Sequence, residues 1–407
     1  MKLKFDEVFT YSHLFDAYWK SLKGVRWKGT VQNYSFHSIS NLYVSLEEIR
    51  KELFDSGHFY KFPLMERGKL RHIQSVGIKE RVIQRCLCDY CLVPTLSELF
   101  IYDNMACIKD KGVHVALERM KQQLRKYYRK HGTNEGYILQ FDFHHYFDTI
   151  PHDKIIAKIS EHIDDPKLMR LIAQLINDFD GDKGLGLGSQ ISQISALFYP
   201  NDIDHFFIKY EGVEAYGRYM DDGYLISPDK EVLKNCAIIL NEMVTELGIE
   251  LNTNKTQISK LSHGFVFLKA RFFLTNTGEV VMKPNRRNIT RNRRKLKKLF
   301  KMGKSLKEID TFVQTVVGNL KHYNAYYTIK NFKKLYQEEL KKMVKSQHPY
   351  IDENGNQRED LIKFYSDEGC QLMQTETGLV FDDVIDRYPS KYHYVEVKDM
   401  AEQPAEA

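Results

Sequence analysis

The chain has 407 residues, of which 43% are apolar and 13% aromatic, an ordinary globular composition and more than one minimal domain requires. Its apolar runs, such as 237–240 and 265–268, fall far short of the ~20 residues of a membrane-spanning helix, which argues against a membrane-spanning protein. The net charge of +6 hides an asymmetry: residues 350–407 carry −9 and residues 1–349 carry +15, so a basic body that attracts polyanions, nucleic acid first, precedes an acidic tail.

Glu7, His13, Asp16 and Lys20 interrupt any apolar core near the N-terminus, so no secretion signal is expected and the six cysteines read as thiols of a reducing, cytoplasmic environment. Cys86, Cys88 and Cys91 lack a second Cys or His pair at zinc spacing and recur with Val82, Ile83 and Leu87 at helical period, which predicts core packing.

Residues 1–57 mix helical patterning with aromatics and form an N-terminal extension. A hairpin with cationic arms is predicted around Gly68, followed by helices over 79–90 and 113–130. The β-rich run 137–142 ends on Asp142, and Pro151 is placed to open the next helix. A Gly-rich stretch, 181–188, precedes a helix expected over 190–210. Residues 215–226 read as two short strands hinged at Asp221-Asp222-Gly223. A helix over 230–247, a strand over 249–251 and a hairpin over 264–282 complete this unit. From Lys283 to Lys307 there are twelve Lys/Arg and no acid, yet Leu296, Leu299, Leu306 and Ile309 keep helical periodicity, which predicts a folded basic helix.

Asp142 at a strand end and Asp221 and Asp222 about 80 residues later supply the hard oxygen donors of two-metal nucleotidyl transfer, with Mg²⁺ expected and Mn²⁺ the alternative. Taken alone, Asp-Asp-Gly is equally a tight turn. Its company is more specific. The stretch Phe141-Asp-Phe-His-His-Tyr-Phe-Asp-Thr-Ile-Pro-His-Asp153, the Gly-rich 184–193, Arg218-Tyr-Met-Asp-Asp222, Leu247-Gly-Ile-Glu-Leu-Asn252 with Lys255, and Gly264-Phe-Val-Phe-Leu268 follow in an order that resembles the bacterial, group II intron-related reverse transcriptases.

That resemblance implies an α+β right-hand polymerase: fingers and palm over 58–282, a basic helical thumb over 283–345 and a small acidic C-terminal segment over 346–407. It implies an RNA template, dNTPs and a cDNA product, with Asp142 and Asp221 as metal ligands and Asp222 in support. Phe147 stands where the family places the ring that excludes a 2′-hydroxyl. Lys69 and Arg71 fit the hairpin that grips the triphosphate, and Lys255 fits the general acid to the leaving pyrophosphate. Gly188 with Gln193, and Tyr219 with Met220, fall around the nascent pair. Arg286, Arg287, Arg291, Arg293, Arg294, Lys297 and Lys298 would meet duplex phosphates. Arg218 either braces the hairpin or touches nucleic acid.

At the second motif Gly186 and Leu187 stand where group II enzymes have Pro and Gln, which is closer to diversity-generating retroelement and phage-defence enzymes, as is the stretch Tyr102-Asp-Asn-Met-Ala-Cys-Ile-Lys-Asp-Lys-Gly112. A mutagenic retroelement enzyme is therefore one alternative, an RNA-dependent RNA polymerase another, and a nucleic-acid scaffold with an unused palm a third. The acidic tail either binds a protein partner, covers the basic cleft or packs as a subdomain. Losing a polar side chain near the nascent pair predicts lower fidelity. Leu187→Gln is expected to reduce the substitution rate measured by sequencing the cDNA, and an unchanged rate would remove this inference.

Overall fold

The structure, a computed structural model, describes residues 3–66, 68–347, 372–375 and 378–381. The chain divides into two units, Met1–Val281 and Met282–Ala407. The first begins with helices Phe5–Val8 (α1), Tyr11–Ser21 (α2), Gly29–Phe36 (α3) and Ser38–Arg50 (α4). Thr10 starts α2 by accepting the His13 amide at 3.1 Å, which satisfies an otherwise unpaired donor. Leu14, Ala17 and Tyr18 of α2 and Leu42, Leu46 and Ile49 of α4 are buried at helical spacing in the same core as the rest of the unit.

Strands Tyr60–Glu66 (β1) and Lys69–Ser75 (β2) form the expected antiparallel hairpin, with Glu66 opposite Lys69. Helix Ile78–Leu87 (α5) runs through a π-helical turn at Cys88–Leu92 into Val93–Ser97 (α6). Cys86, Cys88 and Cys91 are fully buried there, and burial pushes the Cys91 thiol up to about 12, so these cysteines are core packing and not a zinc site. The basic amphipathic helix follows at Val113–His131 (α7) and ends on Gly132, whose φ of 67° suits the left-handed cap.

The central sheet is built from Tyr137–Asp142 (β3), Ala215–Tyr219 (β4), Asp222–Ser227 (β5) and Gln257–Lys260 (β6), in the order β4-β5-β3-β6 with antiparallel neighbours throughout. Between β3 and β4 lie helices Tyr146–Thr149 (α8), His152–Ser160 (α9), Pro166–Asn177 (α10), Gln190–Phe198 (α11) and Asn201–Phe207 (α12). Lys230–Glu246 (α13) follows β5 and buries Leu233, Cys236, Leu240 and Val244 in the core. Phe265–Phe267 (β7), Ala270–Leu274 (β8) and Val280–Pro284 (β9) make a second, three-stranded sheet.

Four expectations are corrected. The helix over 190–210 is two helices, because Pro200 lacks the amide that a continuous helix needs and takes φ −91°, ψ 24°. Pro151 precedes its helix as the capping residue instead of opening the first turn. The strand over 249–251 is reduced to one bridge between Leu251 and Phe143, and β6 takes the sheet edge. The hairpin turn is Met220-Asp221, not Asp221-Asp222-Gly223, since Tyr219 pairs with Asp222 and Arg218 with Gly223.

The second unit contains Arg286–Lys301 (α14), Leu306–Leu320 (α15), Tyr326–Gln347 (α16) and the antiparallel strands Leu372–Thr375 (β10) and Gly378–Phe381 (β11). Leu296, Ile309, Val313, Leu320 and Phe332 form its core. Ser305 and Glu308 close a capping box at the start of α15. Apart from the end of α16 and β10–β11, the acidic segment 346–407 lies outside the described residues. No helix among the described residues is long and apolar enough to cross a membrane.

Gly223 sits in β5 opposite Phe141 because the Phe141 ring covers it: an added Cβ would lie 2.1 Å from the ring. Gly223→Ala is expected to lower stability by about 1–3 kcal/mol in thermal denaturation, as overpacking does, and Phe141→Leu in the same chain should recover part of the loss. An unchanged melting temperature would contradict this reading.

Candidate active site

The β4–β5 turn is held from below by a buried ion pair. The Arg218 side chain is fully buried, and its guanidinium donates to Asp204 on α12 at 2.7 and 2.6 Å. It also donates to the Met220 carbonyl at 2.8 Å and the Leu197 carbonyl at 2.9 Å. Tyr216 donates to the same Asp204 at 2.7 Å. Arg218 therefore braces the hairpin and is not available to nucleic acid. Met220, nearly buried, takes φ 58°, a strained conformation for a side chain of its size, which the guanidinium helps to hold through the Met220 carbonyl.

This turn brings Asp221 and Asp222 beside Asp142. Register places Asp142 opposite Asp222, and the Phe143 amide donates to the Asp221 carbonyl at 3.3 Å. Asn252 holds Asp142 twice, amide to carbonyl at 2.7 Å and Nδ2 to Oδ1 at 3.2 Å. The Lys255 ammonium binds Asp142 Oδ2. Burial, the Asp221 charge and a hydrogen bond to Asp142 push Asp222 up to about 7. Asp221 is also raised, by burial and then by Asp142, with Lys255 and Arg71 acting in the opposite sense. Burial works against the Lys255 charge, but its bond to Asp142 and the two other aspartates keep its pKa raised.

Asp221 and Asp222, both raised by burial and by neighbouring charge, stand beside Asp142, and carboxylate oxygens are the hard donors that Mg²⁺ takes. The donor chemistry fits. Among the described residues, however, no group of three or more His, Cys, Asp and Glu side chains converges as a ready-made metal centre. Asp142 is turned to Lys255 and Asn252 instead.

Of the other expected residues, Arg71 is an exposed position of β2 opposite Leu64, close enough for its charge to act on Asp221. Lys69 holds the first position of β2. Phe147 is half-buried on α8, and its carbonyl accepts the Leu185 amide at 2.6 Å, which ties it to the Gly-rich loop. Gly188, with φ 111°, and Gln193 are exposed on either side of the start of α11. Tyr219 is half-buried beside the turn. Arg286, Arg287, Arg291, Arg293, Arg294, Lys297 and Lys298 are exposed on α14 in the second unit.

Asp204 and Asn252 received no role from the sequence. Asn252-x-x-Lys255 carried a signal, because both residues reach one carboxylate from one turn; Asp204, one of two acids on the short helix α12, carried almost none.

The raised Asp222 has a consequence for stability in the absence of metal. Its folded-state value lies above the ordinary 3.8, so the neutral form favours folding; that contribution is complete below 3.8 and is lost as pH rises through about 7. In EDTA, the melting temperature of the wild type should therefore fall relative to Asp222→Asn across this window, as followed by circular dichroism. Parallel curves would show that Asp222 is not shifted.

Residues 61–275, just over half of the chain, match the family model described as reverse transcriptase (RNA-dependent DNA polymerase). Protein YkfC of Escherichia coli (strain K12) is 24% identical over 282 residues, which cover 57% of this chain and 72% of that protein. Apo telomerase from Candida tropicalis, truncated from its C-terminal domain, is similar at 15% identity with a TM-score of 0.45 over 61% of this chain, and the chain spans about 60% of that telomerase chain. The matched span holds Asp142, Asp221, Asp222 and Lys255 between the β1–β2 hairpin and β8, and the chain belongs to the reverse transcriptase (RNA-dependent DNA polymerase) family.

Proposed function

We propose that the protein is an RNA-directed DNA polymerase that copies a dedicated RNA into cDNA, within a bacterial or phage-encoded defence system or retroelement. The observation that carries this reading is the meeting of Asp142, Asp221 and Asp222 at the end of two paired strands, with Asp222 raised to about 7 by burial and its neighbours' charge. Asp142 and Asp221 would hold two Mg²⁺ ions, with Asp222 in support, and bound there the ions supply activation of a primer 3′-hydroxyl and neutralisation of triphosphate charge.

The chain's own groups do the rest. Lys255, kept protonated beside the aspartates, is placed to give a proton to the leaving pyrophosphate once Asp142 is engaged elsewhere. Lys69 and Arg71 would meet the triphosphate, the role that the resemblance implies for them. Phe147, fixed by its carbonyl bond to Leu185, would close the space that a 2′-hydroxyl needs and so favour dNTPs over ribonucleotides. Asn252 orients Asp142 by two hydrogen bonds. The exposed cations of α14 suit sequence-independent contact with a template–primer duplex.

The test is extension of a DNA primer on an RNA template with Mg²⁺ and labelled dNTPs. The wild type should extend it, Asp221→Ala/Asp222→Ala should fall to background, and Lys255→Ala should lower kcat by about 10²–10⁴-fold. A wild type that extends no primed template would overturn the activity, whereas extension by the double variant would overturn the assignment of the aspartates.

A further inference from the structure

The chain has two tryptophans, Trp19 and Trp27. Both precede the span that matches the family, and both line one open groove of about 1350 Å³. Small-molecule sites usually measure about 300–1,000 Å³, so this groove suits a polymer. One wall is the end of α2 and the turn after it, with Lys20, Lys23 and Arg26; the other is α5, with Arg81 and Arg85. The floor is Gly188, Ser189 and Gln193, in the segment that follows the Leu187 bond to β2 and to which the resemblance assigns the templating pair. Among the described residues no carboxylate lines the groove.

Trp19 is 49% and Trp27 74% exposed, an unusual state for the largest apolar side chain. Neither ring is loose. Arg26 lies 5.4 Å from the centre of the Trp19 ring, and the Trp27 indole donates to the Gly24 carbonyl at 3.1 Å. Lys20 and Arg85 share Asp89, but among the described residues no carboxylate pairs with Lys23 or Arg26. The α5 wall is tied to the floor, since Ser189 donates to Gln84 of α5 at 2.8 Å.

Exposed rings among cations that lack acidic partners are the surface on which unpaired bases stack while phosphates are neutralised. A duplex offers no free base faces to such rings. We propose that this groove binds single-stranded RNA, with bases stacked on Trp19 and Trp27 and phosphates on Lys23, Arg26 and Arg81. The strand is the unpaired template ahead of the templating base; this identification rests on the polymerase reading, whereas the binding itself does not.

Because both tryptophans lie in the groove, their emission reports on it alone. A short oligouridine, titrated into the full chain without Mg²⁺, should quench that emission and saturate, and an RNA duplex of the same length should not. With a fluorescein-labelled oligouridine, anisotropy should show Trp27→Ala binding at least about fivefold more weakly, with Trp27→Phe restoring most of the affinity. Lys23→Ala/Arg26→Ala should reduce the slope of log K against log salt by about 0.7 per lost phosphate contact.

The proposal is overturned if the duplex quenches as well as the single strand, if Trp27→Ala binds as tightly as the wild type with an unmoved salt slope, or if oligothymidine binds more tightly than oligouridine. Primer extension separates it from the polymerase reading. A wild type that extends primers while oligouridine leaves the tryptophans unchanged sinks the groove alone. Quenching and weakened variant binding in a protein that extends nothing sustain the groove and sink the polymerase reading.

Discussion

The geometry of the site depends on one buried ion pair, Arg218 with Asp204. Two charges taken out of water are unfavourable unless their hydrogen bonds are satisfied. Here the guanidinium reaches both Asp204 oxygens and two backbone carbonyls, and Tyr216 adds a further donor to Asp204. One of those carbonyls belongs to Met220, so the pair couples α12 to the turn that carries Asp221. Breaking either partner would leave a buried charge, and the strained Met220 backbone would lose a hydrogen bond that helps to hold it.

Above this brace the electrostatic balance reverses. Asp142, Asp221 and Asp222 crowd one end of the sheet, where burial and neighbouring charge oppose ionisation of Asp221 and Asp222. The protein offsets part of this with Lys255 on Asp142 and with the Arg71 charge from the hairpin. The same crowding would favour a divalent cation bound there, as the proposed chemistry requires. Lys255 is a counterion of Asp142, and its release is part of the chemistry proposed.

The groove proposed for RNA is built partly on N-terminal helices that precede the matched span. Residues 5–54 share one core with α5 and the helices around the sheet, so α2 cannot shift without disturbing the wall opposite it. Rigidity of that kind allows an exposed tryptophan to serve as a platform: the ring's position is set by buried neighbours such as Tyr18, and no ordering is needed when a strand arrives.

Much was legible in the chain itself. Helical patterning located α5, α7 and α13, and the cationic residues around Gly68 located the β1–β2 hairpin, because both signals are local properties of each element. The carboxylates, and the motif order around them, pointed to the chemistry because their spacing follows from the sheet that carries them. The Asp-Asp-Gly turn misled, since Gly223 is required by the overlying Phe141 ring and not by the backbone, and the long helix misled because Pro200 acts through one missing amide. Asp204 beneath Arg218, Asn252 on Asp142 and the groove between α2 and α5 join residues far apart in sequence. The sequence by itself determined the elements and the identity of the reacting groups; only the tertiary structure decided which charges neutralise one another, because burial and distance, on which every such interaction depends, do not exist until the chain is folded.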